Sequence, residues 1–496
     1  MKTQSRLNAK ERDFFSLVNQ AVYANPFSEM RDELDLKISG LQPTVSESER
    51  IEKAIHEVAK RVEMLERQGR DNINLFSGHD RILVETSFLF EFFHQFLEQF
   101  DQFISDQIKK GDTTLKVPFS REAFAYLKKR GFKEPDIKRY FELSFQLRRA
   151  YFFIFRSLIG RSACMKKLRR KLWNNVFTHH IDLYNQYLWD RMEDFSTLIL
   201  GETGSGKGTV AAAIGRSGFI PFNEAQGCFV ESFTHSFIAL NLSQFPENLI
   251  ESELFGHKKG AFTGAVEEHK GIFDRCSPHG AIFLDEIGEV STQIQIKLLQ
   301  VLQERDFSPV GSHQKHRFRG RVIAATNRSI DDIQKKRMMR DDFFYRLSSD
   351  IITVPPLRQR IQEDPGELDD LLTLLVERML GQPSQEVKNK VRDVINRQLE
   401  DGYSWPGNVR ELEQCVRSVL LNQSYEGRSE ANKTDLASQI KEGIEAGTID
   451  AQRLLSGYCF HLYSRHGTYE EVASRTMLDR RTVKKHIEKW KDLAIV

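Results

Sequence analysis

Cysteine is scarce and scattered in this chain of 496 residues. Cys164, Cys228, Cys276, Cys415 and Cys459 are odd in number, far apart and never in a CxxC pair, which leaves no disulfide framework and fits buried, structural thiols in a reducing cytosol. Long apolar runs are missing too: none reaches the roughly 18–20 residues of a membrane span. Tyr151 to Phe155 is cut short by Arg156, and the start, Met1-Lys-Thr-Gln-Ser-Arg-Leu, is polar. A soluble, cytoplasmic protein without membrane contact is expected. Nor is there an excess of either charge, since 72 Lys and Arg stand against 70 Asp and Glu for a net +2; a nucleic-acid surface would have to be a local patch. No internal repeat of useful length is visible, and the first 156 residues carry almost no strand signal.

Helical periodicity fills that first stretch. Leu89, Phe92, Phe93, Phe96, Phe100 and Phe103 recur at three- and four-residue steps, as do Tyr140, Leu143, Leu147 and Tyr151, so residues 1–156 read as an all-α bundle. An aromatic stripe of this kind lines either a ligand pocket or, the commoner outcome, plain core, and His94 is open to the same two readings. The length exceeds what one core usually organises, so about three domains with cores of their own are expected. From Leu158 onward strands alternate with helices. Leu198 to Leu200, Cys228 to Val230, Phe237 to Leu240, Ala281 to Leu284, Arg321 to Ala324 and Ile351 to Val354 are strand-like, which predicts an α/β core with a parallel sheet over 157–357. The basic run Lys166 to Lys171 is a solvated helix face or, less commonly, a nucleic-acid contact. A helical lid follows over 358–422, then a polar linker over 423–445 and a last helical segment over 446–496.

The chemistry lies in the α/β core. Gly201-Glu202-Thr203-Gly204-Ser205-Gly206-Lys207 follows an apolar strand and precedes the helix-forming Thr209 to Ile214. In that context backbone N–H groups wrap phosphates, the helix N-terminus favours negative charge, and Lys207 reaches the terminal phosphates. Gly208 stands where the general motif has a magnesium-holding hydroxyl, and Thr209 comes one position late. Asp285 and Glu286 end the strand Ala281 to Leu284, where two adjacent carboxylates imply a metal or a reacting water. Asp285 is the expected Mg2+-associated residue, and Glu286 the group that orients or deprotonates the attacking water. Asn327 ends another strand, placing donor and acceptor groups near the γ-phosphate. Between them, Gly260-Ala261-Phe262-Thr263-Gly264-Ala265 is a poor core element, because glycine costs backbone entropy and Phe262 gains nothing from water; it reads as a tip that touches a partner.

These residues, together with Leu249 to Gly256, Lys297 to Gln303, Tyr345-Arg-Leu347, Pro355-Pro-Leu-Arg358 and Trp405-Pro-Gly-Asn-Val-Arg-Glu-Leu412, resemble the AAA+ ATPase domain of bacterial sigma-54-dependent transcriptional activators over about Leu158 to Asn422. The resemblance implies dimers that assemble into a ring, usually a hexamer, binding ATP and Mg2+ between subunits. It makes Arg340 and Arg346 fingers acting in trans, although local pairing with their aspartates is the reading without it. It makes Arg410 the sensor-II arginine and gives Asn241 the task of holding Glu286 inactive. Gly260 to Ala265 then contacts the sigma-54 RNA polymerase holoenzyme, and hydrolysis drives promoter opening. Gly208 and Leu242 depart from the family pattern. Asn175 to Asp194 and Gly218 to Ser236 look like extensions that decorate or regulate the ring.

Near the end, Tyr469 to Ala473, a turn near Thr476 to Leu478, and Asp479 to Lys489 form a helix-turn-helix pattern. Arg480, Arg481, Lys484 and Lys485 are its expected contacts with upstream promoter DNA. A basic terminal helix with no sequence reading is the alternative. The amino-terminal bundle has no receiver, GAF or PAS pattern, so signal input or protein interaction is assigned to it by position. Two other functions stay open, a sigma-54-independent regulator that uses nucleotide for assembly, and a remodeller of some other protein.

Overall fold

A computed structural model describes residues 5–336, 338–427, 440, 443–444 and 447–493; most of the linker expected at 423–445 lies outside them. The first seven helices are α1 (Ala9–Tyr23), α2 (Glu29–Ser39), α3 (Glu47–Arg67), α4 (Gly78–Gln95), α5 (Leu97–Lys110), α6 (Ser120–Lys129) and α7 (Glu134–Ser157). Side-chain oxygens of Asn8, Ser28 and Ser46 cap α1, α2 and α3 by accepting from backbone N–H groups of their first turns, satisfying donors that have no partner inside the helix. Phe88, Phe92, Phe96 and Phe100 are fully buried, so most of the aromatic stripe is core. No described helix is long and apolar enough to cross a membrane.

After α8 (Ala163–Phe177) and the single turn α9 (Ile181–Leu183) come β1 (Thr197–Leu200), α10 (Lys207–Gly215), β2 (Phe222–Asn223), β3 (Cys228–Phe229), β4 (Phe237–Asn241), β5 (Ala281–Asp285), β6 (Asp306–Phe307), β7 (His316–Arg317), β8 (Arg321–Thr326) and β9 (Asp350–Thr353). Five of these form a parallel sheet in the order β4-β5-β8-β1-β9. Its two faces obey the period of two. Ile199, Phe283, Ile323, Ala325 and Ile352 pack on the side of α10 and the bundle, whereas Leu198, Leu200, Ile282, Leu284, Val322 and Ala324 pack against Leu254, Phe255 and Leu298.

The strand expected at Cys228 to Val230 is not in that sheet. It pairs antiparallel with β2 in a two-stranded ribbon, and the ribbon serves the bundle. Phe229 stacks on Phe145 at 4.2 Å between ring centroids and Phe222 meets Phe141 at 5.0 Å. The Phe222 N–H donates to Glu142 at 2.8 Å, and the Val117 N–H to the Gly227 carbonyl at 2.8 Å. A single apolar cluster therefore runs from Leu7 in the bundle to Val354 in the sheet, and residues 1–392 with 401–420 make one compact unit. Separate cores were expected for the bundle and the α/β part; the ribbon joins them because its two phenylalanines find no apolar surface on a two-residue strand pair alone.

Arg149 of α7 lies within this seam, fully buried, donating to the Gly218 carbonyl with its cation 4.9 Å from the Phe145 ring centre. Burial without a carboxylate partner pushes its pKa down to about 9. The five cysteines are unpaired, and Cys415 and Cys459 are buried as expected, while Cys164 in the first turn of α8, Cys228 in β3 and Cys276 just after a short helical turn are only partly buried.

The second unit, residues 393–400 and 421–496, includes helices Ala451–His466, Tyr469–Thr476 and Arg480–Leu493. Cys459, Leu462, Val472, Val483 and Ile487 form its small core. Asp479 caps the last helix, accepting from the Arg481 and Thr482 N–H groups.

Candidate functional site

Parallel pairing brings every strand that carries chemistry out at one edge of the sheet. Leu200 lies beside Thr326 and Leu284 beside Ala324, so Gly201, Asn327 and the Asp285-Glu286 pair emerge together, as ligand-binding edges of open α/β sheets do. The phosphate loop turns through left-handed backbone at Gly204 and Gly206, with φ of 78° and 107°, which only glycine adopts cheaply. Lys207 opens α10, is buried, and donates from Nζ to the carbonyls of Gly201 at 2.9 Å and Glu202 at 3.4 Å. Burial lowers its pKa, an effect opposed by the nearby Glu286 and Asp285 carboxylates and reinforced by Arg410. Ser205 Oγ is buried without a partner. Gly208 and Thr209 are exposed at the head of α10.

Glu286 is the strained residue of the site. Its backbone is left-handed, φ 57° and ψ 44°, a conformation that costs a non-glycine residue on the order of 1–2 kcal/mol. Its Oε2 is buried without a hydrogen bond, while its N–H donates to Asp285 Oδ1 at 3.0 Å. Asn327 Nδ2 points at Thr203 Oγ1, 3.4 Å away, closing the gap between β8 and the phosphate loop.

Asn241 departs from its expected bond. It ends β4 beside Asp285, yet its Oδ1 accepts from the Ser243 N–H at 3.0 Å and Ser243 Oγ at 2.7 Å, and no hydrogen bond joins it to Glu286 among the described residues. The reason is local. Asparagine bonding two residues ahead makes a turn at little ordering cost, and Ser243 offers two donors there.

Arg340 chelates Asp342 at 3.0 and 2.8 Å, as its sequence neighbours allow, and Arg346 Nε donates to the Leu302 carbonyl at 3.0 Å. Among the described residues neither bonds to this chain's own phosphate loop. The loop at 260–265 is a compact turn in which the Gly260 N–H donates to the Ala265 carbonyl at 2.8 Å. Phe262 and Thr263 are exposed, with Phe262 leaning on the His257 ring at 4.9 Å. Ala265 is buried, so the exposed tip is Phe262, Thr263 and Gly264. In the second unit Arg480 pairs with Glu470 and Lys484 with Glu488, whereas Arg481 and Lys485 are exposed without an ion-pair partner among the described residues.

A strap was not foreseen. Asn408, fully buried and left-handed at φ 54°, donates from Nδ2 to Glu202 Oε2 and to the Thr203 carbonyl, both at 3.1 Å, and accepts from the Leu357 N–H at 2.7 Å. The Val409 N–H donates to the Gly204 carbonyl at 3.1 Å, and Arg358 pairs with Glu202 through both nitrogens. A side chain at Gly204 would strike the Gly407 carbonyl and come within 2.9 Å of Arg410 Cβ. The helix Asn408–Asn422 is thus tied to the loop that would hold phosphate, and Arg410 stands beside it. The signal was present in Trp405 to Leu412, but a motif does not say which of its residues bonds backward.

Asn408→Ala is expected to cost about 2–4 kcal/mol, from buried partners left unmet and from the left-handed backbone. In urea denaturation Asn408→Gly should recover about 1 kcal/mol of that loss, the backbone part; equal losses would show that the backbone strain plays no part.

The middle of the chain is similar to known proteins. Residues 178–353 match the sigma-54 interaction domain and residues 368–451 the AAA+ ATPase lid domain. The Nif-specific regulatory protein of Azotobacter vinelandii is 41% identical over 230 residues, 46% of this chain and 40% of that protein. Regulatory protein AtoC of Escherichia coli is 37% identical over 284 residues, 56% of each, and the DNA-binding transcriptional regulator NtrC of Azospirillum brasilense is 36% identical over 275 residues, 54% and 49%. The chain thus spans about half the length of the curated relatives it matches.

Proposed function

Because the central part of this chain belongs to the sigma-54-dependent activator family, we propose that it hydrolyses ATP in a ring of its own copies to remodel sigma-54 RNA polymerase holoenzyme, and that its carboxyl-terminal helices hold it to upstream DNA. The observation that carries this is the meeting of Lys207, Asp285, Glu286 and Asn327 at one sheet edge in a chain that also keeps Phe262 and Thr263 exposed. Nucleotide phosphates suit the phosphate loop: the unpaired Ser205 Oγ and the Lys207 ammonium, now resting on carbonyls, are donors waiting for an acceptor. No cluster of three or more His, Cys, Asp or Glu residues able to hold a metal occurs among the described residues. Asp285, at the strand end beside the phosphate loop, would help to hold Mg2+ brought in with the nucleotide, and the ion would neutralise charge developing on the phosphates.

The remaining roles belong to this chain's own groups. Glu286 takes or orients the proton of the attacking water, and its unpaired Oε2 is free to do so while Asn241 stays on Ser243. Asn241 turned toward that oxygen would hold it idle. Arg410 and, from a neighbouring copy, Arg340 and Arg346 balance the phosphate charge. Arg481 and Lys485, which have no ion-pair partner among the described residues, would meet DNA phosphate, and Arg480 and Lys484 would join them by exchanging their glutamates.

The test is open-complex formation on a sigma-54 promoter with purified holoenzyme and ATP. Wild-type protein should open the promoter, and Thr263→Ala should lose opening by at least about tenfold while hydrolysis stays within about twofold of wild type, as removal of an output contact requires. ATP hydrolysis without any opening by the wild type would favour a sigma-54-independent regulator.

A further inference from the structure

The bundle and the segment after it line a solvent-accessible cavity of about 530 Å3, the size of a small-molecule site. Phe92, Phe96 and Phe100, on α4 and next to it, are fully buried, so this helix packs tightly where it does not face the cavity. Its walls are aromatic: Phe93, Tyr140, Tyr151, Phe155 and Trp173 line it, with Leu89. Planar rings are what such walls take up well.

His94 sits among them. Its Nδ1 lies 2.8 Å from the Phe90 carbonyl of its own helix, and because a carbonyl only accepts, that nitrogen carries the proton. Burial pushes the imidazole down to about 3, so it is neutral and Nε2 bears a lone pair. Nε2 has no hydrogen-bond partner among the described residues and is not one of the polar atoms sealed within the protein. Two of the wall's arginines are already neutralised, Arg31 by Asp35 at 2.9 Å and Arg148 by Asp101, and the third, Arg156, lies over the Phe152 ring on a wall that also carries Glu47 and Asp182. An anion finds no spare cation pair there.

We propose that this cavity is a binding site for a neutral, planar aromatic molecule whose single N–H or O–H donor is accepted by His94 Nε2. The occupant would also touch Trp173 of α8 and Ile181 of α9, and α8 is fastened to the sheet where Asn175 Nδ2 donates to Thr197 Oγ1 and to Asp350 Oδ2. The inference stands on the cavity alone and does not need the ATPase reading.

Calorimetric titration of the full chain with indole and 1-methylindole, and with 2-naphthol and 2-methoxynaphthalene, tests it. In each pair the donor-bearing molecule should bind about 3- to 10-fold more tightly, the worth of one hydrogen bond. His94→Phe keeps an aromatic ring, removes the acceptor and should make the members of each pair equal. Ser144→Trp, on the wall and projecting into the space, should abolish binding of all four with the circular dichroism spectrum retained; Leu89→Trp repeats that arm should Ser144→Trp fail to fold. Equal binding within pairs by the wild type, unchanged discrimination in His94→Phe, tighter binding of 2-naphthoate than of 2-naphthol, or no heat from any compound at millimolar concentration would each overturn the proposal.

Discussion

Glu286→Gln is expected to bind ATP as the wild type does and to turn it over about 10²–10⁴-fold more slowly, the usual contribution of a positioned proton acceptor. Shape survives the change, so the left-handed backbone at φ 57° and the N–H bond to Asp285 stay in place; what is lost is the negative charge and one proton-accepting oxygen, replaced by an amide that only donates. Nucleotide affinity measured by fluorescence and turnover by phosphate release separate the two effects, and turnover within tenfold of wild type would remove Glu286 from the water-activating role. The same variant reports on the arginines. Mixed with Arg346→Ala, it should regain about a quarter of wild-type turnover if each site joins one copy's Glu286 to the next copy's Arg346 across a heterologous interface. Mixtures as inert as either variant would mean that Arg346, here bonded to the Leu302 carbonyl, acts within its own chain or supports the fold.

Much of the central site was legible because its signals are local. The phosphate loop sits between a strand and a helix that periodicity marks, and the alternation Leu198, Ile199, Leu200 against Val322, Ile323, Ala324 needs only the period of a strand to assign its two faces. What escaped depends on which distant groups meet. Phe222 and Phe229 lie on two-residue strands with no period to read, and their partners Phe141 and Phe145 are about 80 residues away in sequence. Asn408 folds back onto Glu202 and Thr203 across some 200 residues. The partner of Asn241 escaped for the opposite reason, since it is a serine only two residues ahead that donates to its Oδ1. The aromatic stripe divides: spacing shows that Phe92, Phe93 and Phe96 share a helix, but only three-dimensional packing decides that Phe93 faces a cavity while its neighbours are sealed.

Phe229→Ala should have the largest effect on stability of any single change in the ribbon, about 3–5 kcal/mol, as for other buried phenylalanines replaced by alanine. The residue is almost fully buried, stacked on Phe145 and Phe141, met edge-on by Phe222 and at a tilt by Phe103, and β3 on its own offers no other apolar surface to close the hole. The consequence reaches beyond a cavity. The ribbon belongs to the α/β part by connectivity and to the bundle by packing, and the Phe222 N–H to Glu142 and Val117 N–H to Gly227 bonds repeat that link in the backbone. Bundle and nucleotide-binding sheet should therefore melt together in the wild type, and urea denaturation followed at once by helix content and by nucleotide binding should give coincident transitions. Phe229→Ala should lower the midpoint and split the two probes, the bundle persisting after nucleotide binding is lost or the reverse. A loss below about 1 kcal/mol with coincident transitions would mean that the shared core does not fasten the bundle to the sheet.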